Sequence, residues 1–515
     1  MNARPIRMLR AFATVGGWTM GSRVLGFIRD VMIAGLLGAG PVAEAFFVAF
    51  RLPNMFRRFF AEGAFNMAFI PLFAKRLEGG EDAKGFAEEA LAGLLSVLLI
   101  LSAAAIIFMP ALMFALAAGF ADDAAKFDLA VFYGRIQFPY LLCMSLTALF
   151  SGVLNALGRF AAPAAAPVLL NVILIGAMAL AFGLAFPVGD ALAFGVLLAG
   201  FAQVALVAWA CRAAGMGLRL RRPRWTPAMR RLVQLGVPGA LAGGVTQVNL
   251  LIGTVIASFY TGAVAWLSYA DRIYQLPLGV VGVAIGVVLL PELSRRVRAG
   301  DHAGARDAFN RAAEFSMALT LPAATALIAI PGALTSVLFA RGAFSAEDAA
   351  AVAIAVAIFA VGLPAFVLQK VLQPAYFARE DTVSPLKFAV ASMLLNTVIS
   401  IGGAALYGWI AIPVGTALAG WLNVALLWRG AGAFGDAVTP DARLRQRLPR
   451  LLVAAASMGA LVWFAGQGAA DLLTAPGLRY AALAGLVIAG AVSYAVLAIA
   501  LGGAKPSDLR AGLRR

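Results

Sequence analysis

The residues in this sequence that could do chemistry are arginines placed where an apolar chain should have none. Ser22-Arg23-Val24-Leu25-Gly26-Phe27-Ile28-Arg29-Asp30 lies in the first long apolar stretch. Phe50-Arg51-Leu52-Pro53-Asn54-Met55-Phe56-Arg57-Arg58-Phe59-Phe60-Ala61-Glu62-Gly63 lies in the second, and Tyr269-Ala270-Asp271-Arg272-Ile273-Tyr274-Gln275-Leu276-Pro277 lies beyond the midpoint. A guanidinium keeps its charge at any physiological pH and takes phosphate oxygens in a bidentate fork. Arg23, Arg29, Arg57 and Arg272 set against Asp30 leave a surplus of positive charge that a diphosphate would neutralise. The structural alternative is that the arginines are locked in pairs with Asp30, Glu62 and Asp271.

Helical spacing sorts these side chains. Arg23 and Asp30 are seven apart and share a face, whereas Arg29 lies about 120° round from Arg23. A straight helix would not aim both arginines into one cavity, and Gly26 between them is a candidate bend. Asp30 neutralises one arginine, with Arg29 the first candidate. In the second stretch Pro53 is expected to kink or break the helix. Asn54 and Arg57 share a face at i, i+3, and Arg58 pairs with Glu62 at i, i+4, which leaves Arg57 as the free arginine. Lys370, beside Gln369 and Gln373, is a further candidate for the cavity wall.

The elements that hold such a site are set by composition. The chain has 515 residues, 62% apolar and 13% charged, with a mean hydropathy of +0.90. A soluble domain is roughly 45–50% apolar and about 25% charged. Soluble enzymes, disordered chains, coiled coils and disulfide-rich secreted scaffolds are therefore excluded. A span needs about 20 mostly apolar residues. Fourteen such segments are expected, near 11–38, 42–74, 86–118, 127–157, 161–186, 188–211, 232–259, 262–293, 307–339, 346–377, 383–407, 409–431, 450–467 and 478–502. The basic N-terminus is read as the start of a retained helix, not a cleaved signal, because the apolar run after it is too long and contains Arg23, Arg29 and Asp30.

Alternation of charge supports an even count. Thirty of the 41 Lys and Arg fall in the termini and alternate loops on one side. Lys126, Arg341 and Arg479 fall on the other. By the positive-inside rule both termini are cytoplasmic. The net charge of +16 is then chiefly a topology signal. Eight basic residues remain within the apolar segments: Arg23, Arg29, Arg51, Arg57, Arg58, Arg135, Arg272 and Lys370. Each costs roughly 2.5–3.5 kcal/mol near a helix centre, so they should face water or a partner.

An internal repeat organises the segments. At a shift of 220, Ala45-Phe46 falls on Ala265-Trp266 and Pro71 on Pro291. Near a shift of 225, Pro139 falls on Pro364 and Leu169-Leu170-Asn171 on Leu394-Leu395-Asn396. The expected fold is an all-α polytopic membrane protein of about 14 transmembrane helices. It has two six-helix lobes with pseudo-twofold symmetry plus two C-terminal helices. The lobes are 1–211 and 232–433, joined by a basic linker at 212–231. A loop at 434–449 leads to the last two helices and tail at 450–515. The linker, with Arg219, Arg221, Arg222, Arg224, Arg230 and Arg231, either lies against anionic headgroups or is a solvated topology signal. Duplicated lobes of this kind suit a transporter that rocks around a midplane site.

Other chemistries find little support. Cys143 and Cys211 sit in apolar surroundings and read as small buried hydrophobes, and His302 stands alone in a polar loop. No catalytic constellation, P-loop or Rossmann fingerprint is present. No cofactor, metal or nucleic acid is expected, and the chain is not expected to be an enzyme. Transport would draw on a gradient, the membrane potential or mass action.

The stretches SRVLGFIRD (22–30), FFVAFRLPNMFRRFFAEGAF (46–65), YADR (269–272) and LPLGVVGVAIGVVLLPELS (276–294) resemble the MurJ/MviN family of lipid II flippases. So do FPYLL (138–142), NALGRFAAPAAAPVLLN (155–171) and RGAFSAED (341–348). This family lies within the multidrug/oligosaccharidyl-lipid/polysaccharide exporter superfamily, and the resemblance runs over essentially the whole chain. It implies a bacterial inner-membrane flippase moving undecaprenyl-diphosphate-linked disaccharide-pentapeptide to the periplasmic leaflet for peptidoglycan synthesis. It places the substrate arginines on Arg23, Arg29, Arg57 and Arg272, with Asp30 beside them, and a lipid-tail groove on helices 13 and 14. Asn54, Glu62, Asp271 and Lys370 are the supporting candidates. The expected partners are lipid II, membrane lipids and the cell-wall synthesis machinery, and the expected state is a monomer. Family members that resemble sodium-coupled carriers use carboxylates in helices 7 and 11. This sequence has no Asp or Glu in 232–259 or 383–407, which puts sodium coupling by that route in doubt and leaves Asn249 and Asn396 as neutral candidates. The competing readings are a gradient-driven multidrug or other polyprenyl-diphosphate-glycan exporter of the same fold, and a non-transporting scaffold.

Overall fold

The computed structural model describes residues 5–57 and 66–505. All regular structure among them is helical. Nine helical stretches among the described residues are long and apolar enough to cross a membrane, and each of the fourteen apolar segments carries at least one helix. The chain divides into two compact units, Met1–Ala265 and Trp266–Arg515.

The first unit contains α1 (Pro5–Leu37), α2 (Pro41–Arg57), α3 (Asn66–Glu78), α4 (Ala83–Ile107) and α5 (Met109–Leu116). A 3-10 turn at Ala118–Asp122 leads to α6 (Ala124–Gln137), α7 (Tyr140–Ala156), α8 (Ala161–Gly183), α9 (Val188–Ala213) and α10 (Pro227–Ser258). Helix α1 packs on α8, α8 and α7 on α9, and α2 on α6. Phe69, Phe73, Phe86, Leu149 and Val153 anchor its core. Helix α10, placed by sequence at the head of the second lobe, packs on α3, α4, α5 and the 3-10 turn, and the first unit runs through it to Ala265.

Helix α11 (Ala263–Arg298) crosses the unit boundary. The second unit continues with α12 (His302–Ala329), α13 (Pro331–Phe339), α14 (Ala346–Phe377), α15 (Val383–Tyr407), α16 (Ala411–Ala431), α17 (Ala442–Gly468), α18 (Ala470–Thr474) and α19 (Leu478–Ala500). Helix α16 packs between α14 and α15, and α12 packs on α14 and α17. Phe309, Met317, Val371, Leu372 and Tyr376 lie in its main core.

Polar residues in the inter-segment breaks start the helices. Asp82, Asp123, Thr226, Asp301, Ser345 and Asp441 each accept a backbone N–H of the first turn. That satisfies donors the helix itself leaves orphaned. Prolines divide three segments: α4 from α5 before Pro110, α6 from α7 at Pro139, and α12 from α13 at Pro331. Pro53 behaves differently. Helix α2 runs through it to Arg57, and the Asn54 amide donates to the Phe50 carbonyl within the proline's turn. Of the kink or break expected at Pro53, the break is absent. Large apolar side chains such as Phe182, Leu184, Phe464 and Leu406 remain exposed. That is the outer surface expected of helices that face lipid rather than water.

Two buried carboxylates each gather basic side chains among these helices. Glu44 at the start of α2 is fully buried and pairs with Lys126 at the start of α6, itself 7% exposed. Glu44 Oε1 also accepts the Val264 N–H at 3.2 Å, and the Lys126 ammonium sits 3.9 Å from the centre of the Phe120 ring. In the second unit Glu314 accepts from Arg311, Arg443 and Arg447, joining α12 to α17. Cys143 and Cys211 are buried free thiols.

Candidate functional site

The site in the first unit is built on one turn of α1. Arg29 Nη2 and Nε both donate to Asp30 Oδ1, at 2.7 and 3.0 Å. Arg29 Nη1 donates to Asn171 Oδ1 at 2.9 Å, across 142 residues of sequence. Arg29 is 7% exposed and Asp30 is 4% exposed. Asn171, on α8, holds the opposite side of this arrangement: its Nδ2 donates to the Ser22 carbonyl at 2.9 Å and to Ser22 Oγ at 3.3 Å. A side chain at position 26 would meet the Asn171 amide at 3.6 Å. Gly26 thus lies under the Asn171 amide, and α1 runs unbroken from Pro5 to Leu37 rather than ending at a bend there.

Charge-assisted hydrogen bonds of this kind are the strong ones, each contributing about 1.5–3 kcal/mol. Asp30 therefore holds Arg29, and Asn171 fixes the plane of its fork. Three of the five guanidinium N–H directions are used inside the protein. Arg23 lies about 9 Å earlier along the same helix axis. It is half-buried and has no ion pair among the described residues.

The second strand of the site is the end of α2. Arg57 Nε donates to Asn54 Oδ1 at 3.3 Å, the i, i+3 contact expected from spacing. Tyr140, buried at the start of α7, lies within electrostatic reach of both Arg57 and Arg29, which places the two arginines on the same region. Its hydroxyl donates to Gln203 Oε1 at 3.3 Å, and Gln203 Nε2 donates to the Ala166 carbonyl at 2.8 Å. Arg51 is turned elsewhere and donates to Thr254 on α10. The expected Arg58–Glu62 pair falls outside the described residues.

Asp271, Arg272 and Lys370 belong to the second unit. Asp271 accepts from Gln275 and from Tyr274. Arg272 and Lys370 are exposed on α11 and α14. Beside Lys370, Gln369 is held by the Gly420 carbonyl and the Asn423 amide.

Four residues that matter here lie outside the site chemistry read from the sequence. Asn171 was visible only as a repeat marker, and its repeat counterpart Asn396 is also buried, where it accepts from Ser400. Tyr140 enters the sequence reading only within FPYLL (138–142), and Gln203 carries no sequence signal that sets it apart. Lys126, counted as a loop charge, is instead the buried partner of Glu44. Glu44, one of two glutamates in the apolar run 42–74, is the available clue.

With this geometry in place, comparison with known proteins gives a consistent result. Residues 33–472 match the family model described as lipid II flippase MurJ. A protein of Rhizobium meliloti (strain 1021) described as a probable lipid II flippase MurJ is 47% identical over 522 residues, covering 99% of this chain and 96% of that relative. A solved structure of lipid II flippase MurJ in an inward closed conformation matches with a TM-score of 0.79 at 22% identity, covering 97% and 99% of the two chains. An inward-facing multidrug resistance transporter of the MATE family matches with a TM-score of 0.68 at 14% identity, over 81% and 95%.

Proposed function

This chain belongs to the lipid II flippase MurJ family, and from that premise we propose that its arginine cluster holds the diphosphate of lipid II during alternating access. It is a multi-pass protein of the bacterial inner membrane, a transporter and not an enzyme, and its substrate is lipid II. That role places it in peptidoglycan biosynthesis.

The observation that carries the mechanistic reading is Arg29, buried and held by Asp30 and Asn171 beside the region that Arg57 also reaches. Its orientation is fixed before any ligand arrives, so little ordering entropy remains to be lost on binding. Arg29 and Arg57 take diphosphate oxygens, and Arg23 adds charge from the same helix. Arg272, exposed on α11, is the fourth arginine proposed for the substrate. Asp30 keeps the cluster from carrying its full positive charge when empty, which moderates the cost of charges within a membrane. The exposed apolar faces of α17 and α19, including Leu461, Phe464, Val487 and Ile488, suit the polyprenyl tail. The excess of Lys and Arg on one set of loops supports cytoplasmic termini. The protein works as a monomer in contact with the cell-wall synthesis machinery.

The surplus of arginine disfavours the multidrug reading, because an organic cation needs an acidic or aromatic cavity. The test is complementation in cells depleted of their own flippase, with Arg23→Ala, Arg29→Ala, Arg57→Ala and Arg272→Ala beside the wild type. Wild type restores growth, and Arg29→Ala and Arg57→Ala fail at normal protein levels. Growth with both of these variants overturns the site. Protection of the purified protein from heat by a lipophilic cation but not by lipid II overturns the substrate.

A further inference from the structure

A second cluster of arginines lies away from the α1 site, in the segment between α9 and α10. Residues 214–226 contain no helix, yet they are fixed along their length. Met216 and Leu218 pack on the core of the first unit. The Arg219 N–H donates to Glu88 Oε1 at 3.1 Å, and Arg221 Nε lies 2.5 Å from Glu88 Oε2. At the far end the Thr226 hydroxyl donates to Glu89 Oε2 at 2.8 Å while capping α10.

This anchoring holds the intervening side chains outward. Leu220 and Trp225 are 66% and 67% exposed. Arg221, Arg222 and Arg224, with Glu89, line a recess of about 360 Å³. Glu88 answers Arg221, whereas Arg222 and Arg224 have no ion pair among the described residues. The segment joins the ends of two apolar helices, so it sits at the level where a bilayer meets water. A solvated topology signal would need the arginines but would gain nothing from exposed Leu and Trp on an immobilised backbone. Tryptophan is enriched at that interface because its ring is amphipathic, and arginine there attracts anionic headgroups.

We propose that the recess formed by Arg221, Arg222 and Arg224 binds the phosphate of an anionic phospholipid, with Leu220 and Trp225 seated in the interfacial layer beside it. The lipid clamps the α9–α10 connection onto the leaflet. Glu89 sets an upper limit on affinity, because its carboxylate faces the same recess.

The test uses the purified full chain in neutral detergent, with its thermal midpoint followed as phosphatidylglycerol or phosphatidylcholine is added. Phosphatidylglycerol raises the wild-type midpoint with a saturable, salt-sensitive dependence, and phosphatidylcholine does not. Arg222→Gln with Arg224→Gln weakens the apparent affinity about 30-fold, at about 1 kcal/mol for each arginine near the surface. Glu89→Gln keeps an acceptor for Thr226 and strengthens binding. Arg298→Gln, on the exposed end of α11, leaves the titration unchanged. The proposal is overturned if the double variant titrates as wild type does, or if Arg298→Gln weakens binding equally. Equal protection by soluble glycerol phosphate also overturns it, since that would make the site one for free phosphate.

Discussion

Replacing Glu44 by Gln separates charge from shape in the first unit. The amide keeps an acceptor for the Val264 N–H but leaves the Lys126 ammonium, 7% exposed, without a counter-charge. Breaking a buried ion pair from one side costs about 3–5 kcal/mol. The Phe120 ring under the ammonium remains and offsets part of this, so about 3 kcal/mol is expected. With an unfolding entropy of about 2.1 cal/mol/K per residue, the 515-residue chain loses about 3 °C in its thermal midpoint. The loss is about 5 °C if the first unit melts by itself. Lys126→Met costs a similar amount by stranding the carboxylate. The double variant Glu44→Gln with Lys126→Met removes both charges and returns to within about 1–2 kcal/mol of wild type, because burying a neutral pair carries no ionic desolvation. Thermal unfolding of the four proteins in one detergent gives the cycle. Losses that simply add would show that the two residues do not interact, and the account of this cluster would be wrong.

Three further outcomes follow from the same structure. Asn171→Ala removes the acceptor that fixes Arg29, at about 1.5–3 kcal/mol, so protection by lipid II should weaken by roughly 10- to 100-fold while the protein still accumulates. Gly119→Ala places a carbon 2.5 Å from the Phe259 backbone nitrogen and should cost about 1–3 kcal/mol, whereas Gly176→Ala in α8 meets nothing within 4 Å and should stabilise by about 0.5–1 kcal/mol; thermal midpoints distinguish the two. Asp381, in the loop before α15, is held below the usual carboxylate range chiefly by the Ser384 N–H, with help from Val383. Its contribution is therefore present above the ordinary carboxylate pKa and lost as pH falls through its own lower value, so Asp381→Asn should flatten the acid limb of stability against pH.

What was legible in the sequence was whatever local spacing decides. The Asn54–Arg57 contact at i, i+3 and the adjacency of Arg29 to Asp30 needed only helix geometry. The helical segments needed only hydropathy and their polar caps. The rest depends on contacts between distant segments. Asn171 reaches Arg29 across 142 residues, and the repeat that marks it says nothing of this partner. A count of loop charges cannot distinguish a solvated lysine from one buried against Glu44, as Lys126 is. Pro53 shows the limit of a local rule in the other direction. Proline removes one hydrogen bond, that to the Ala49 carbonyl, yet α2, packed against α6, continues to Arg57.

The two cysteines have a practical consequence. Both thiols are buried within the first unit, Cys143 at 1% and Cys211 at 0% exposure, and Cys211 is further occupied with the Phe150 carbonyl. Thiol reagents act on exposed thiolates, so the native chain should be nearly silent to maleimides. A cysteine introduced at Trp225 or on the outer face of α17 would then be labelled alone. Its modification rate could be followed while the transporter turns over, without first removing the native residues.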